Sequence, residues 1–242
     1  MVQEAADRRA VIAANLQVVR ERVAAACKAA GRSPDEVRII AVTKNHPASD
    51  VRILAELGMV DVGENRDQEA APKAAECGDI DLNWHFVGQL QRNKAASVVG
   101  YAHVVHSVDR GRLVEALAAR SRAAGRELNC LVQVNLDPDS EQGVIGPRGG
   151  ADPADVPDLA KAIAEAEGIV LGGVMAVAPR GADPRAAFDR LYEVAAVVRS
   201  RYPRATAISA GMSGDLEAAV ERGATHLRIG TALLGDRAAI VG

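Results

Sequence analysis

The sequence predicts an α/β fold, a single (β/α)8 TIM-like barrel with an extra N-terminal helix, and three observations predict it. Short β-branched runs alternate with longer Ala-rich segments of helical period. The runs are nearly continuous in apolar residues, as strands covered by helices in a parallel sheet are. About eight such units fit into 242 residues, close to the ~250 typical of a barrel. An open doubly wound sheet is the competing architecture. One domain over residues 1–242 is expected, because a chain of this length buries roughly 70 to 75% of its unfolded surface around one core.

Ala5–Ala30 has apolar positions at Val11, Ile12, Leu16, Val19, Val23 and Ala26 and a stop at Gly31, which predicts the first helix. After Ser33-Pro34 the first strand is predicted over Arg38–Thr43. Further strands are predicted at Val60–Gly63, His85–Gly88, Val104–Ser107, Cys130–Asn135, Gly172–Val177, Ala207–Ala210 and Leu227–Gly230. Between them helices are predicted over Ser49–Leu57, Glu64–Glu76, Gln89–Ser97, Arg110–Ala124, Pro153–Glu167, Pro184–Ser200 and Gly214–Arg222. The Gly- and Pro-rich stretch Pro138–Pro153 is read as a surface loop after the fifth strand.

Composition narrows the function. With 29 Lys plus Arg against 32 Asp plus Glu the formal charge is −3, which argues against nucleic acid as a partner. No apolar run approaches the ~18 residues of a membrane span, and Met1–Arg9 mixes acids and bases without an apolar run, so a cytoplasmic protein is expected. Cys27, Cys77 and Cys130 match no metal or disulfide spacing, in keeping with a reducing compartment and no metal centre.

In a barrel of this kind, polar residues at the C-terminal ends of strands are the candidates for chemistry. Lys44 directly follows the first strand, where a partly desolvated amine becomes nucleophilic; a solvated lysine opening a loop is the alternative. In His226-Leu227-Arg228-Ile229-Gly230-Thr231, period-two alternation separates Leu227 and Ile229 from Arg228, so Arg228 is expected to point into the barrel. A buried guanidinium needs a partner, and an internal salt bridge to Glu64 is the structural alternative to a ligand. The turn Gly211-Met212-Ser213-Gly214-Asp215 precedes a helix and could cradle an anion, or Ser213 and Asp215 could simply cap that helix. Gly230-Thr231 adds a second set of backbone N–H groups, and the loops after strands seven and eight are where barrels recurrently hold phosphate.

An amine, an inward arginine and a phosphate cradle together suit a phosphorylated aldehyde bound as an imine, and pyridoxal 5′-phosphate fits. Arginine has no hydrogen-bond acceptor, so beside the pyridine nitrogen it would leave that nitrogen unprotonated and weaken the ring as an electron sink. Asn65 and His85 could line the mouth or serve structure alone. His103 and His106, three apart in a strand region, face opposite sides and do not suggest a shared metal.

The segments Ala41-Val42-Thr43-Lys44, Gly63-Glu64-Asn65, Trp84-His85-Phe86-Val87-Gly88, Gln91-Arg92-Asn93-Lys94, Ser107-Val108-Asp109-Arg110, Gly211-Met212-Ser213-Gly214-Asp215 and Arg228-Ile229-Gly230-Thr231 resemble the pyridoxal phosphate homeostasis proteins in order over nearly the whole chain. The resemblance implies the single-barrel fold of the alanine racemase N-terminal domain and a carrier without established turnover. It implies that Lys44 forms the imine, that Ser213, Gly230 and Thr231 surround the phosphate, that Arg228 lies near the pyridine nitrogen and Asn65 near the ring, and that Met212 and Gly214 are also cofactor-binding. Partners expected on this reading are the small-molecule cofactor and, transiently, pyridoxal-dependent apo-enzymes, with a monomer as the expected state. Asn45-His46, Arg66-Asp67 and Ala210 depart from the common pattern and bear on the pocket lining. A racemase-like enzyme is the competing reading, but it needs acid-base groups on both faces of the imine, and Tyr101, Tyr192 and Tyr202 fall away from predicted strand ends. A cofactor-free Schiff-base aldolase using Lys44 is a third.

Overall fold

The computed structural model describes residues 2–137, 149–179, 181 and 183–235. Eight parallel strands close into a barrel in sequence order: β1 (Arg38–Val42), β2 (Asp61–Glu64), β3 (Asn83–Phe86), β4 (Val104–Val108), β5 (Leu128–Gln133), β6 (Ile169–Met175), β7 (Ala207–Ser209) and β8 (His226–Ile229). Closure is made by β1 and β8, which pair from Arg38 opposite His226 to Ala41 opposite Ile229. The open-sheet alternative is thereby excluded.

Helices α1 (Val2–Ala29), α2 (Ala48–Glu56), α3 (Asp67–Glu76), α4 (Ala95–Tyr101), α5 (Gly111–Ala124), α6 (Val156–Glu165), α7 (Pro184–Arg201), α8 (Leu216–Glu221) and α9 (Thr231–Leu234) accompany the strands. Each predicted strand is present, shifted by up to three residues. The helix expected over Gln89–Ser97 is instead a 3-10 turn at Arg92–Lys94 running into α4, and Glu64, expected to open a helix, ends β2. Helix α9 was not anticipated, since four residues are too few for a periodic signal. Most of the loop expected at 138–153 lies outside the described residues; within it Ala151 forms a parallel bridge with Val134.

Packing follows strand parity. Val62 and Trp84, together with Leu227 and Ile229, belong to the apolar layers between sheet and helices, whereas the buried Ile40, Val42, Leu131 and Met175 stand outside those layers. A side chain added at Gly63 would meet Ile40 and Val42, so Gly63 shares their face, the barrel interior. In α1, Ile12, Leu16, Val19 and Val23 are buried at the expected spacing, but Val11 is half exposed. Each such buried aliphatic side chain contributes about 1.5 to 3 kcal/mol as an upper figure.

Helix α1 also reaches the C-terminal rim through polar side chains. Arg8 bonds both Asp50 on α2, at 2.6 Å, and the carbonyl of Leu234 on α9, at 3.0 Å. Asn15 donates to the carbonyl of Leu233 at 2.9 Å, and Arg22 to that of Ser213 at 3.1 Å.

Candidate functional site

Because every strand runs the same way, the residues after their C-terminal ends converge on one rim. Lys44 follows β1 by two residues and Asn65 follows β2 directly, while Gly230 follows β8. Lys44 is exposed in a turn beyond the strand. The turn is unusual: Asn45 has φ of 58°, the only positive φ at a non-glycine among the described residues, and asparagine tolerates that region best after glycine. Its N–H donates to Glu69 Oε2 at 3.0 Å.

Beneath this turn, on the outer side of the sheet, Lys73 of α3 is buried. Its Nζ donates to the carbonyl of Thr43 at 2.8 Å and to Glu64 Oε1 at 2.5 Å, and Thr43 Oγ1 donates to the same carboxylate at 2.7 Å. Burial pushes the Glu64 carboxyl up, against the lowering influence of Lys73. Glu64 is therefore committed to Lys73, and the alternative pairing of Arg228 with Glu64 does not exist.

Arg228 is inward, as alternation predicted. It is 5% exposed, and its guanidinium donates to Ser209 Oγ at 2.7 Å and to the carbonyl of Ala176 at 2.8 Å. No carboxylate forms a salt bridge with it among the described residues. Burial lowers its pKa to about 10, only partly offset by Asp215, so the group stays cationic at neutral pH. A buried cation held only by neutral acceptors is an electrostatic demand for a ligand with acceptor atoms or negative charge.

The two loops beside it are joined. The Ala232 N–H donates to Ser213 Oγ at 3.2 Å, which bridges the turn after β7 to the start of α9. Ser213 thus does not cap its own helix. Asp215 occupies the N-cap position of α8, yet its Oδ1 turns back to accept from the Met212 N–H at 2.6 Å and makes no cap bond to α8. Gly211, with φ of 90°, leaves no room for a side chain against Ala219 and Leu227. Met212 and Gly214 are exposed, as is Thr231, and Gly230 lies against Val42. Asn65 is half-buried, and its backbone lies so close to Gly88 that a Cβ there would fall 2.1 Å from the Asn65 carbonyl oxygen.

The sequence reading missed a polar file through the barrel interior. His85, considered for the mouth, is 2% exposed and bonded to Asp61 and His106, and His106 bonds Ser209. Strand parity carries the signal: Asp61, His85, His106, Ser209 and Arg228 all occupy inward positions of their strands. His103 turns away, its Nδ1 accepting from the Trp84 N–H at 3.1 Å, and no group of residues suited to a metal occurs among the described residues. Tyr101 packs edge-on against Trp84 at the end of α4, Tyr192 is exposed on α7 and Tyr202 follows α7, so none of the three stands at a strand end. No described helix is long and apolar enough to cross a membrane.

A family model, the alanine racemase N-terminal domain, matches residues 10–238. The fold and rim thus define a barrel of the alanine racemase N-terminal type. Within that class the chain belongs to the pyridoxal phosphate homeostasis protein family: it is 43% identical over 250 residues to the protein of that name from Mycobacterium tuberculosis, covering 96% of this chain and 95% of the relative. The Escherichia coli K12 protein of the same name is 36% identical, with 93% and 97% covered. Among solved structures, PipY of Synechococcus elongatus with PLP bound superposes with a TM-score of 0.80 at 36% identity, covering 93% of this chain and all of that one. Alanine racemase of Streptomyces coelicolor has a TM-score of 0.73 at 19% identity and covers 95% of this chain but 59% of that one, a likeness of fold.

Proposed function

We propose that the chain binds pyridoxal 5′-phosphate covalently through Lys44 and buffers it for delivery to apo-enzymes, without sustained turnover of its own. The observation that carries this reading is the Arg228 guanidinium, buried inside the barrel, in no salt bridge with a carboxylate among the described residues, and adjacent to two bridged, glycine-bearing loops. These residues suit the cofactor's chemistry: an acceptor-free cation for the pyridine nitrogen, loop N–H groups and the Ser213 hydroxyl for the phosphate, and an exposed primary amine for the aldehyde. When bound, the cofactor supplies an aldehyde carbon on which an amine condenses with loss of water.

The residues divide the work. Lys44 offers Nζ at the rim, where its exposure also lets a competing amine approach, as reversible release requires. Ser213, Gly230 and Thr231, flanked by Met212 and Gly214, hold the anion. Asn65 borders the ring, and Arg228 keeps the ring nitrogen unprotonated, which discourages carbanion chemistry. The Lys73–Glu64–Thr43 cluster anchors the backbone just before Lys44. The positions of the three tyrosines, away from strand ends, favour a carrier over a racemase that needs two opposed acid-base groups. Binding as a monomer in the cytoplasm, in one domain, completes the reading.

The test is addition of pyridoxal phosphate to the purified chain: a visible-range band forms, borohydride fixes it on Lys44, and Lys44→Ala lacks it. Absence of the band in the unmodified chain overturns the reading. Persistent α-proton exchange of amino acids in deuterated water would instead establish an enzyme, and borohydride trapping of a carbonyl substrate without cofactor would establish an aldolase.

A further inference from the structure

Five inward side chains form a single file across the barrel. Arg228 Nη1 donates to Ser209 Oγ at 2.7 Å; Ser209 Oγ is 2.9 Å from His106 Nδ1; His106 Nε2 is 2.9 Å from His85 Nδ1; and His85 Nε2 is 3.0 Å from Asp61 Oδ1. The file is buried, with Ser209 and His106 at 0% exposure, His85 at 2% and Asp61 at 7%. Asp61 is the first residue of β2, so the file ends at the N-terminal mouth, opposite the cofactor rim. There it meets Arg38, 3.2 Å from Asp61, and a cavity of about 450 Å³ bordered by His85, His106 and His226.

The two ends dictate the protons between them. An ionised carboxylate only accepts, so His85 carries its proton on Nε2. A guanidinium only donates, so Ser209 Oγ accepts from Arg228, and the one proton of that buried hydroxyl must go to His106 Nδ1. His106 then holds its proton on Nε2 and gives it to His85 Nδ1. All four bonds point from Arg228 toward Asp61. Turning the bond between His106 and His85 round would leave the buried Ser209 proton with no acceptor. Burial above all, with the Arg228 cation beside it, holds His106 well below the ordinary histidine pKa, in agreement with a neutral ring. Burial pushes the Asp61 carboxyl up, but His85 and Arg38 bring it below the usual range, in agreement with an ionised one.

We propose that Asp61 is a positioning residue that acts on Arg228 from the far end of the barrel, as the fixed acceptor that terminates this four-bond file. The polarised file supplies the buried guanidinium with counter-charge through neutral groups. It also holds the guanidinium by one nitrogen while Ala176 holds the other, leaving three of its five N–H groups for a ligand. Only the identity of that ligand rests on the function proposed above.

Ring-nitrogen NMR of the full chain labelled with 15N-histidine, without pyridoxal phosphate, tests the file itself; His85→Gln and His106→Gln supply the assignments. Both rings are expected as single Nε2–H tautomers. Ser209→Ala frees the rings from the Arg228 end; adding Asp61→Asn to it, whose amide can donate as well as accept, is expected to turn His106 into a mixture of tautomers although it does not touch residue 61, and Asp61→Glu in its place is expected to keep a single one. Ser209→Ala is expected to leave His85 as it was. An Nδ1–H or doubly protonated His106 in the unmodified chain, or a His106 that Asp61→Asn leaves unaltered in folded Ser209→Ala, overturns the proposal. Should the double variant fail to fold, a change of the His85 tautomer in Ser209→Ala overturns it in its place. With pyridoxal phosphate added, Asp61→Asn is expected to keep the visible band and lose affinity several-fold, and unchanged affinity would end its role toward Arg228. A missing band in the unmodified chain would sink the cofactor reading and leave the tautomers standing.

Discussion

The backbone N–H of Ala232 and the hydroxyl of Ser213, 3.2 Å apart, join the loops after β7 and β8 into one unit. That bond makes the phosphate expectation quantitative.

Ser213→Ala removes one hydroxyl donor from the anion and unties the loops. Pyridoxal phosphate affinity is expected to fall about 2- to 10-fold, the worth of one hydrogen bond, with folding unchanged. Phosphate-free pyridoxal is the control. Equal losses for both compounds would refute a phosphate role for this turn.

Gly88→Ala places a methyl group 2.1 Å from the Asn65 carbonyl oxygen, which is backbone and cannot swing aside. Destabilisation of at least about 2 kcal/mol is expected, read from the urea midpoint. A midpoint within error of the unmodified chain would show that β3 tolerates a shift at its C-terminal end.

Lys73→Met leaves Glu64 buried without its cation, at a cost of about 3 to 5 kcal/mol, whereas Lys73→Met combined with Glu64→Gln recovers much of it. A double-mutant cycle in urea unfolding measures the difference. Simple additivity would mean that the two groups do not act as a pair.

Acid should weaken the fold from an unusually high pH. His106 lies well below the ordinary histidine pKa and His226 falls to about 4, in each case chiefly through burial. The unfolded chain therefore binds protons that the native one refuses. Stability from these rings is complete above pH ~6.5 and is lost as pH falls, by about 1.4 kcal/mol per pH unit for each ring until its native pKa is reached. Urea midpoints at pH 7, 6 and 5 give the slope, and His226→Gln should reduce it. A flat profile would show both rings to be protonated in the native state.

Most of the fold was legible because strand and helix periods are strong signals in a (β/α)8 chain, and Leu227 and Ile229 displayed the parity that sends Arg228 inward. The rim was legible for the same reason, since residues after parallel strands must gather at one end. The partner of Arg228 was not. Charge suggested Glu64, but parity places Glu64 on the outer face, where Lys73 of α3 meets it. The file from Ser209 to Asp61 escaped notice because its members come from four strands and register across a barrel is not written in local sequence. Ser213 and Asp215 had the residue types of a helix cap, yet their bonds go to a neighbouring loop and back along the turn.

Helix α1 supplies no residue to the proposed pocket, yet Arg8, Asn15 and Arg22 grip the carbonyls of Leu234, Leu233 and Ser213. In the carrier proposed above, exchanges on a helix outside the barrel would then alter cofactor dwell time with Lys44 and Arg228 left untouched. Relatives that share the same pocket residues need not share a release rate.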